Sequence, residues 1–99
     1  PRPGDRLQIT FLAPDEGRYK IMGVFTKAPD YGIMDFAVNG GTIKQDVDFY
    51  ADKVALAEVD FGEVELKKGA NVLEVTVKGA NPKADPRYML GLDCLLLQK

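Results

Sequence analysis

In Asn71-Val72-Leu73-Glu74-Val75-Thr76-Val77-Lys78, apolar and polar side chains alternate strictly from Leu73 onward. Successive side chains of an extended strand leave on opposite faces, so this pattern predicts a half-buried β-strand with Leu73, Val75 and Val77 facing in and Glu74, Thr76 and Lys78 facing out. The same period recurs on either side. Leu7, Ile9 and Phe11 alternate with Arg6, Gln8 and Thr10, and Tyr19, Ile21 and Phe25 share one face of a strand over 18–26 whose other face carries Met22 and Val24. No window of the length a helix needs, ~11 residues, sustains apolar spacing at i, i+3, i+4 and i+7 without a Gly or Pro. The chain therefore reads as all-β, with Ile9, Phe11, Ile21, Phe25, Leu73, Val75 and Val77 as its core.

Turn chemistry punctuates these strands. Pro14-Asp15-Glu16-Gly17 predicts a hairpin after the first strand, and Asn39-Gly40-Gly41 predicts a tight hairpin between a strand over 32–39 and a return over 42–44, because such loops demand positive φ. Residues 56–66 resume an extended pattern that Gly62 interrupts at a bulge. Lys67-Lys68-Gly69-Ala70 is the next turn, and residues 79–87, with two prolines and no apolar pattern, form a loop. Residues 88–98 close the chain as a strand apolar on both faces, which predicts a central strand or one covered by another domain. Parallel strands would need long helical crossovers, so seven or eight short strands with turns about every ten residues predict an antiparallel β-sandwich of jelly-roll type.

A chain of 99 residues makes one domain, and its composition, 45% hydrophobic and 28% charged, is that of a folded globule. The opening Pro1-Arg2-Pro3-Gly4-Asp5 reads as a linker remnant over 1–5, leaving residues 6–99 as one module excised from a larger protein. With a net charge of -2 and basic residues scattered among acidic ones, the sequence offers no cationic stripe for a nucleic acid. No apolar run approaches the ~20 residues that span a bilayer, so no membrane partner is expected. Histidine is absent and Cys94 is the single cysteine. That removes His-based acid–base chemistry, Ser-His-Asp and Cys-His nucleophiles, His/Cys zinc sites and any internal disulfide. No cofactor is expected.

Six segments occur in an order that carries a resemblance: Gly17-Arg18-Tyr19, Lys27-Ala28-Pro29-Asp30-Tyr31-Gly32, Val47-Asp48-Phe49-Tyr50, residues 62–66, Lys68-Gly69-Ala70-Asn71-Val72-Leu73 and Gly91-Leu92-Asp93. Together they resemble the galactose-binding-like β-sandwich modules, of carbohydrate-binding-module type, found at the ends of bacterial secreted glycosidases and large carbohydrate-active proteins. The resemblance covers nearly the whole chain. It implies a galactose-binding-domain-like sandwich, an extracellular or periplasmic location within a longer secreted protein, and a glycan and an attached catalytic or neighbouring domain as partners. Modules of this kind include true sugar binders and packing domains that bind nothing, so it implies fold more firmly than ligand. Calcium-containing relatives pair acids on the first strand with an aspartate on the last. Here Leu7-Gln8-Ile9-Thr10 offers no carboxylate to partner Asp93, and only Asp46 and Asp48 remain as further candidates for an ion that wants about six to eight oxygens.

Sugar recognition needs flat rings against C–H surface and a few amides or carboxylates for hydroxyls. Tyr31, then Phe49 and Tyr50, then Asn81 and Tyr88 lie near predicted strand ends, where sandwich loops gather, and these five are the expected carbohydrate-binding residues, with Asp30 and Asp48 beside them. The alternative for each tyrosine is a ring capping the core. A chain this small has little material for an enclosing catalytic cleft, so no enzyme is expected. Two readings follow: a non-catalytic carbohydrate-binding accessory module, or a structural, interdomain or oligomerisation module with no small ligand.

Overall fold

Strands that are apolar on one face bury that face only by stacking sheet on sheet, and the chain does so twice over. A computed structural model describes residues 2–99. It contains β1 (Arg6–Ala13), β2 (Gly17–Lys27), β3 (Ile33–Val38), β4 (Gly41–Asp48), β5 (Ala55–Leu66), β6 (Gly69–Gly79) and β7 (Gly91–Gln98), with no helix among the described residues. One sheet has the order β1-β6-β3-β4 and the other β5-β2-β7. Every strand pair within them is antiparallel. The all-β antiparallel sandwich read from the sequence is the observed architecture. The linker expected over residues 1–5 includes Pro1, which lies outside the described residues; Gly4 and Asp5 are bonded to Val77, from Gly4 N to Val77 O at 2.7 Å and from Val77 N to Asp5 O at 2.8 Å.

Four phenylalanines hold the sheets together. Phe25 from β2 and Phe61 from β5 meet Phe36 from β3 and Phe49, which follows β4, with Phe25–Phe36 centroids 5.5 Å apart edge to face and Phe36–Phe61 centroids 4.9 Å apart. Phe25 and Phe49 are fully buried. Room for these rings comes from Gly23, where a Cβ would stand 2.4 Å from the Phe25 ring and 2.9 Å from that of Phe61. Ile21, Leu73, Val75 and Val77 are buried as the alternation requires.

Several expectations change. Pro14-Asp15-Glu16-Gly17 is not a hairpin: β1 pairs with β6 and β2 with β5 and β7, so the turn carries the chain from one sheet to the other. Both flanking strands have an apolar face, and crossing the core lets those faces meet; the Tyr19 hydroxyl donates to the Asp15 carbonyl at 2.8 Å and fastens the corner. Asn39-Gly40, by contrast, is the expected hairpin, with φ of 49° and 87°. Gly62, at φ 75°, sits beside a shift in the β2–β5 register, as a bulge should. The last strand is neither central nor as long as residues 88–98: β7 starts at Gly91 and pairs with β2 alone, leaving its other edge open. Ile9 and Phe11 are only partly buried, because β1 overhangs the three-stranded sheet.

Asn71 is the one buried polar residue of the described chain, and its side chain uses its whole bonding capacity. Its Oδ1 accepts from Asn39 Nδ2 at 2.9 Å and Lys67 N at 3.0 Å, while its Nδ2 donates to the carbonyls of Lys67 at 2.9 Å and Gly69 at 3.1 Å. It thus ties another sheet-crossing corner, between β5 and β6, to the Asn39 hairpin. Replacing it with Ala orphans backbone groups around the corner, so Asn71→Ala should lose about 2–3 kcal/mol in urea unfolding. Gly23→Ala should lose about 1–3 kcal/mol by forcing the two rings apart. An unchanged denaturation midpoint in either variant would remove the corresponding constraint.

Candidate functional site

Three loops meet at one end of the sandwich, and main-chain hydrogen bonds stitch them together. The β2–β3 loop lies in the middle. On one side Ala28 N donates to Phe49 O at 3.1 Å, Ala51 N to Ala28 O at 3.3 Å and Phe49 N to Gly32 O at 3.1 Å, binding the β4–β5 loop. On the other side Gly32 N donates to Met89 O at 3.0 Å, Met89 N to Asp30 O at 3.1 Å and Asp85 N to Pro29 O at 2.8 Å, binding the β6–β7 loop. The gathering of strand-end residues expected from the sequence is therefore present, and its mutual bonding makes the loop end a fixed surface.

The individual residues fare differently. Phe49 is not a ligand platform: it is fully buried in the phenylalanine cluster, because the chain turns inward after β4 and the only apolar destination is the core. Tyr31 and Tyr88 are partly buried and their rings pack on the core. Tyr31 also lies over Gly91, where an added Cβ would meet its hydroxyl at 3.1 Å, so this ring leans toward β7. Tyr50 stands apart from the core cluster. Its hydroxyl donates to Asp52 Oδ1 at 2.7 Å and its backbone N donates to Asp48 Oδ1 at 2.9 Å. Asn81 joins the same group, its Nδ2 donating to Asp48 Oδ2 at 2.8 Å while its Oδ1 accepts from Lys83 N at 3.0 Å.

Asn81, Asp48, Tyr50 and Asp52 thus form one hydrogen-bonded chain across two loops. Both oxygens of Asp48 are engaged within the protein, so it positions Tyr50 and Asn81; Asp52 is exposed and presents its carboxylate outward. Asp52 was missed in the sequence, where Tyr50-Ala51-Asp52 reads only as polar loop. An acid two residues after an aromatic in a turn is the signal that would have found it. The Tyr50 phenol is held above its ordinary pKa, first by the hydrogen bond to Asp52, then by desolvation and by the charge of that carboxylate.

The three calcium candidates do not converge. Asp46 pairs with Lys78 on β6, which its hydrogen bond holds above the usual lysine pKa, Asp48 is engaged as described, and Asp93 is exposed on β7 in the other sheet. Among the described residues no three His, Cys, Asp or Glu side chains gather as a metal-ligating group, so the residues present do not fit a calcium ion.

No family model matches the chain, and no curated protein matches it in sequence. Solved structures do match. A Paenibacillus xanthan lyase superposes with a TM-score of 0.85 over 97% of the chain at 19% identity. A family 35 carbohydrate-binding module from an environmental isolate gives 0.62 over 99% at 16%, and one from Clostridium thermocellum 0.55 over 96% at 16%. The chain spans 9% of the xanthan lyase chain, and 68% and 70% of the two modules. At these identities the likeness establishes the fold alone: an antiparallel β-sandwich shared with these structures, as the sequence resemblance implied.

The Tyr50–Asp52 bond has a spectroscopic consequence. Ionising the phenol removes its donor and sets two anions face to face, so one of the four tyrosines should titrate above the ordinary value near 10 when absorbance is followed at alkaline pH. Asp52→Asn should bring that titration back toward the ordinary value. Because a raised pKa favours the folded state only while the phenol is protonated, the contribution is full below the unfolded pKa and disappears as pH rises through the folded one. Identical titrations in both proteins would dispose of the contact.

Proposed function

We propose that the chain is a non-catalytic carbohydrate-binding accessory module of an extracellular or periplasmic carbohydrate-active protein, and that it binds a glycan at the loop end bearing Tyr31, Tyr50, Asn81 and Tyr88. The observation that carries this reading is the hydrogen-bonded chain Asn81–Asp48–Tyr50–Asp52 on a rigid loop end of a sandwich shaped like family 35 carbohydrate-binding modules. Tyr50 supplies an aromatic face fixed at both ends, Asp52 an outward acceptor and Asn81 an amide, the groups that sugar hydroxyls and C–H surface require. Phe49 serves from beneath by anchoring the loop. Weak affinity suffices for such a module, because attachment to an enzyme raises that enzyme's local concentration on a polymer.

The chemistry offered is recognition, not bond cleavage. Glycoside hydrolysis uses two carboxylates facing each other across a sugar, one with a raised pKa. Here each oxygen of Asp48 accepts an internal hydrogen bond and Asp52 is exposed. A net charge of -2 with acids at the loop end disfavours heavily sulfated or uronate-rich chains, so a neutral or weakly acidic glycan is the expected ligand. A second reading, a packing module without a small ligand, is favoured by Leu12, Val54, Leu56 and Leu96, all more than half exposed.

An NMR titration against soluble oligosaccharides separates the two readings. The sugar-binding reading expects shifts confined to residues 28–32, 48–53 and 80–89 with a Kd of roughly 0.1–1 mM, since one small open platform contributes only a few kcal/mol after ordering costs. Tyr50→Ala should weaken binding at least about tenfold, a loss of ~1.4 kcal/mol or more, while remaining folded. Tyr31→Ala should weaken it less, because that ring leans toward the core. No shift with any glycan at high concentration, or shifts untouched by Tyr50→Ala, would leave the packing reading in place.

A further inference from the structure

Asn39-Gly40 turns the chain from β3 into β4, and it is the one Asn-Gly pair in the sequence. A backbone nitrogen can attack the side-chain amide of the asparagine that precedes it, and the approach is least crowded where the attacking residue has no side chain. The other two asparagines lack that opening. Asn71 is followed by the branched Val72, and Asn81 by Pro82, whose nitrogen carries no hydrogen to give up. Both residues of the Asn39-Gly40 turn are exposed, and a Cβ added at Gly40 would meet nothing within 4 Å, so the pair stands open to water.

What restrains the reaction is the grip of β6 on the Asn39 side chain. Its Oδ1 accepts from Val72 N at 2.9 Å and its Nδ2 donates to Asn71 Oδ1 at 2.9 Å, while its backbone N donates to Val72 O at 2.9 Å. Both ends of the amide are thus held by a neighbouring strand. A ring onto Gly40 N closes only after Cγ leaves this clamp, and both side-chain bonds break when it does.

We propose that Asn39 is a latent deamidation site, closed by the folded hairpin and exposed by its local opening, and that conversion is one-way for the fold because the product cannot remake the bond to Asn71. In the reaction the Gly40 nitrogen gives up its proton and bonds to Asn39 Cγ. The Cγ–Nδ2 bond breaks, and Nδ2 departs with that proton as ammonia. Water then opens the cyclic imide at either carbonyl, leaving an aspartate or an isoaspartate. In the aspartate product a carboxylate oxygen stands where Nδ2 stood and faces Asn71 Oδ1, acceptor against acceptor. Asn71 cannot turn to meet it. Its side chain is 0% exposed, and exchanging its two amide atoms would set Nδ2 against Lys67 N and Oδ1 against the carbonyls of Lys67 and Gly69. The isoaspartate product adds a backbone atom to the turn and displaces the hairpin itself. The site lies at the opposite end of β3 from the loop over residues 28–32, so the proposal is independent of glycan binding.

The test follows Asn39 by mass spectrometry of proteolytic fragments while the folded chain and an unstructured peptide of residues 36–43 age side by side in mildly alkaline buffer. The peptide should convert at its intrinsic rate and the folded chain at least about tenfold more slowly, because only the opened fraction reacts. Asn71→Ala removes the acceptor of Asn39 Nδ2 and should speed conversion several-fold while the chain remains folded by circular dichroism. Gly23→Ala, which loosens the phenylalanine cluster instead, should speed it less when urea brings the two variants to equal stability. Converted chain, separated by its added negative charge, should melt about 4 °C or more below the unconverted chain, and Asn39→Asp should reproduce that loss. Conversion of the folded chain at the rate of the peptide, equal acceleration by the two variants at matched stability, or an Asn39→Asp chain that melts with the wild type would each overturn the proposal. So would conversion at Asn71 or Asn81 ahead of Asn39.

Discussion

The contact on which the rest of the molecule depends is the cluster of Phe25, Phe36, Phe49 and Phe61. It draws rings from both sheets and from the segment leaving β4, and it closes only because Gly23 has no side chain to hold them apart. Its influence reaches the surface through Phe49. While the ring is sunk between the sheets, the backbone of the same residue donates to Gly32 and accepts from Ala28. The loop carrying Tyr50 and Asp52 is thereby fixed to the loop carrying Tyr31. Burial of one side chain sets the position of the polar group beside it, so a small sandwich holds its loop end rigid.

Polar groups follow a complementary rule. Corners where the chain changes sheet cannot use the ladder hydrogen bonds of a hairpin, and two of them are fastened by a side chain instead: Tyr19 between β1 and β2 and Asn71 between β5 and β6. Asn71 is buried without penalty because all four of its bonds are made. At the loop end Asp48 acts in the same way, spending both oxygens on internal donors. Asn81 is likewise bonded through both amide atoms, to Asp48 and to Lys83 N, which leaves Asp52 as the exposed polar residue of the group.

The open side of the sandwich has the opposite character. Edge strands are normally protected by charge, by bulges or by a cover, and β7 carries little charge besides Asp93. On the facing sheet, Leu7 of β1 is half exposed.

Local structure is legible in the residues themselves. Period-two alternation placed the strands, Asn39-Gly40 placed a hairpin, Gly62 a bulge, and the absence of histidine removed whole classes of chemistry. These are properties of a residue and its near neighbours, and the side-chain period of a strand does not depend on which strand lies beside it. Which turns join strands of one sheet and which cross the core is settled by the packed fold, since Pro14-Asp15-Glu16-Gly17 and Asn39-Gly40-Gly41 are both good turn sequences. Packing also makes Phe49 core and leaves Tyr50 outside the core cluster, though both read as loop aromatics, and puts the apolar last strand at an edge. Each of these depends on what faces a residue across ~10 Å of packed interior, and that neighbour comes from a distant part of the chain.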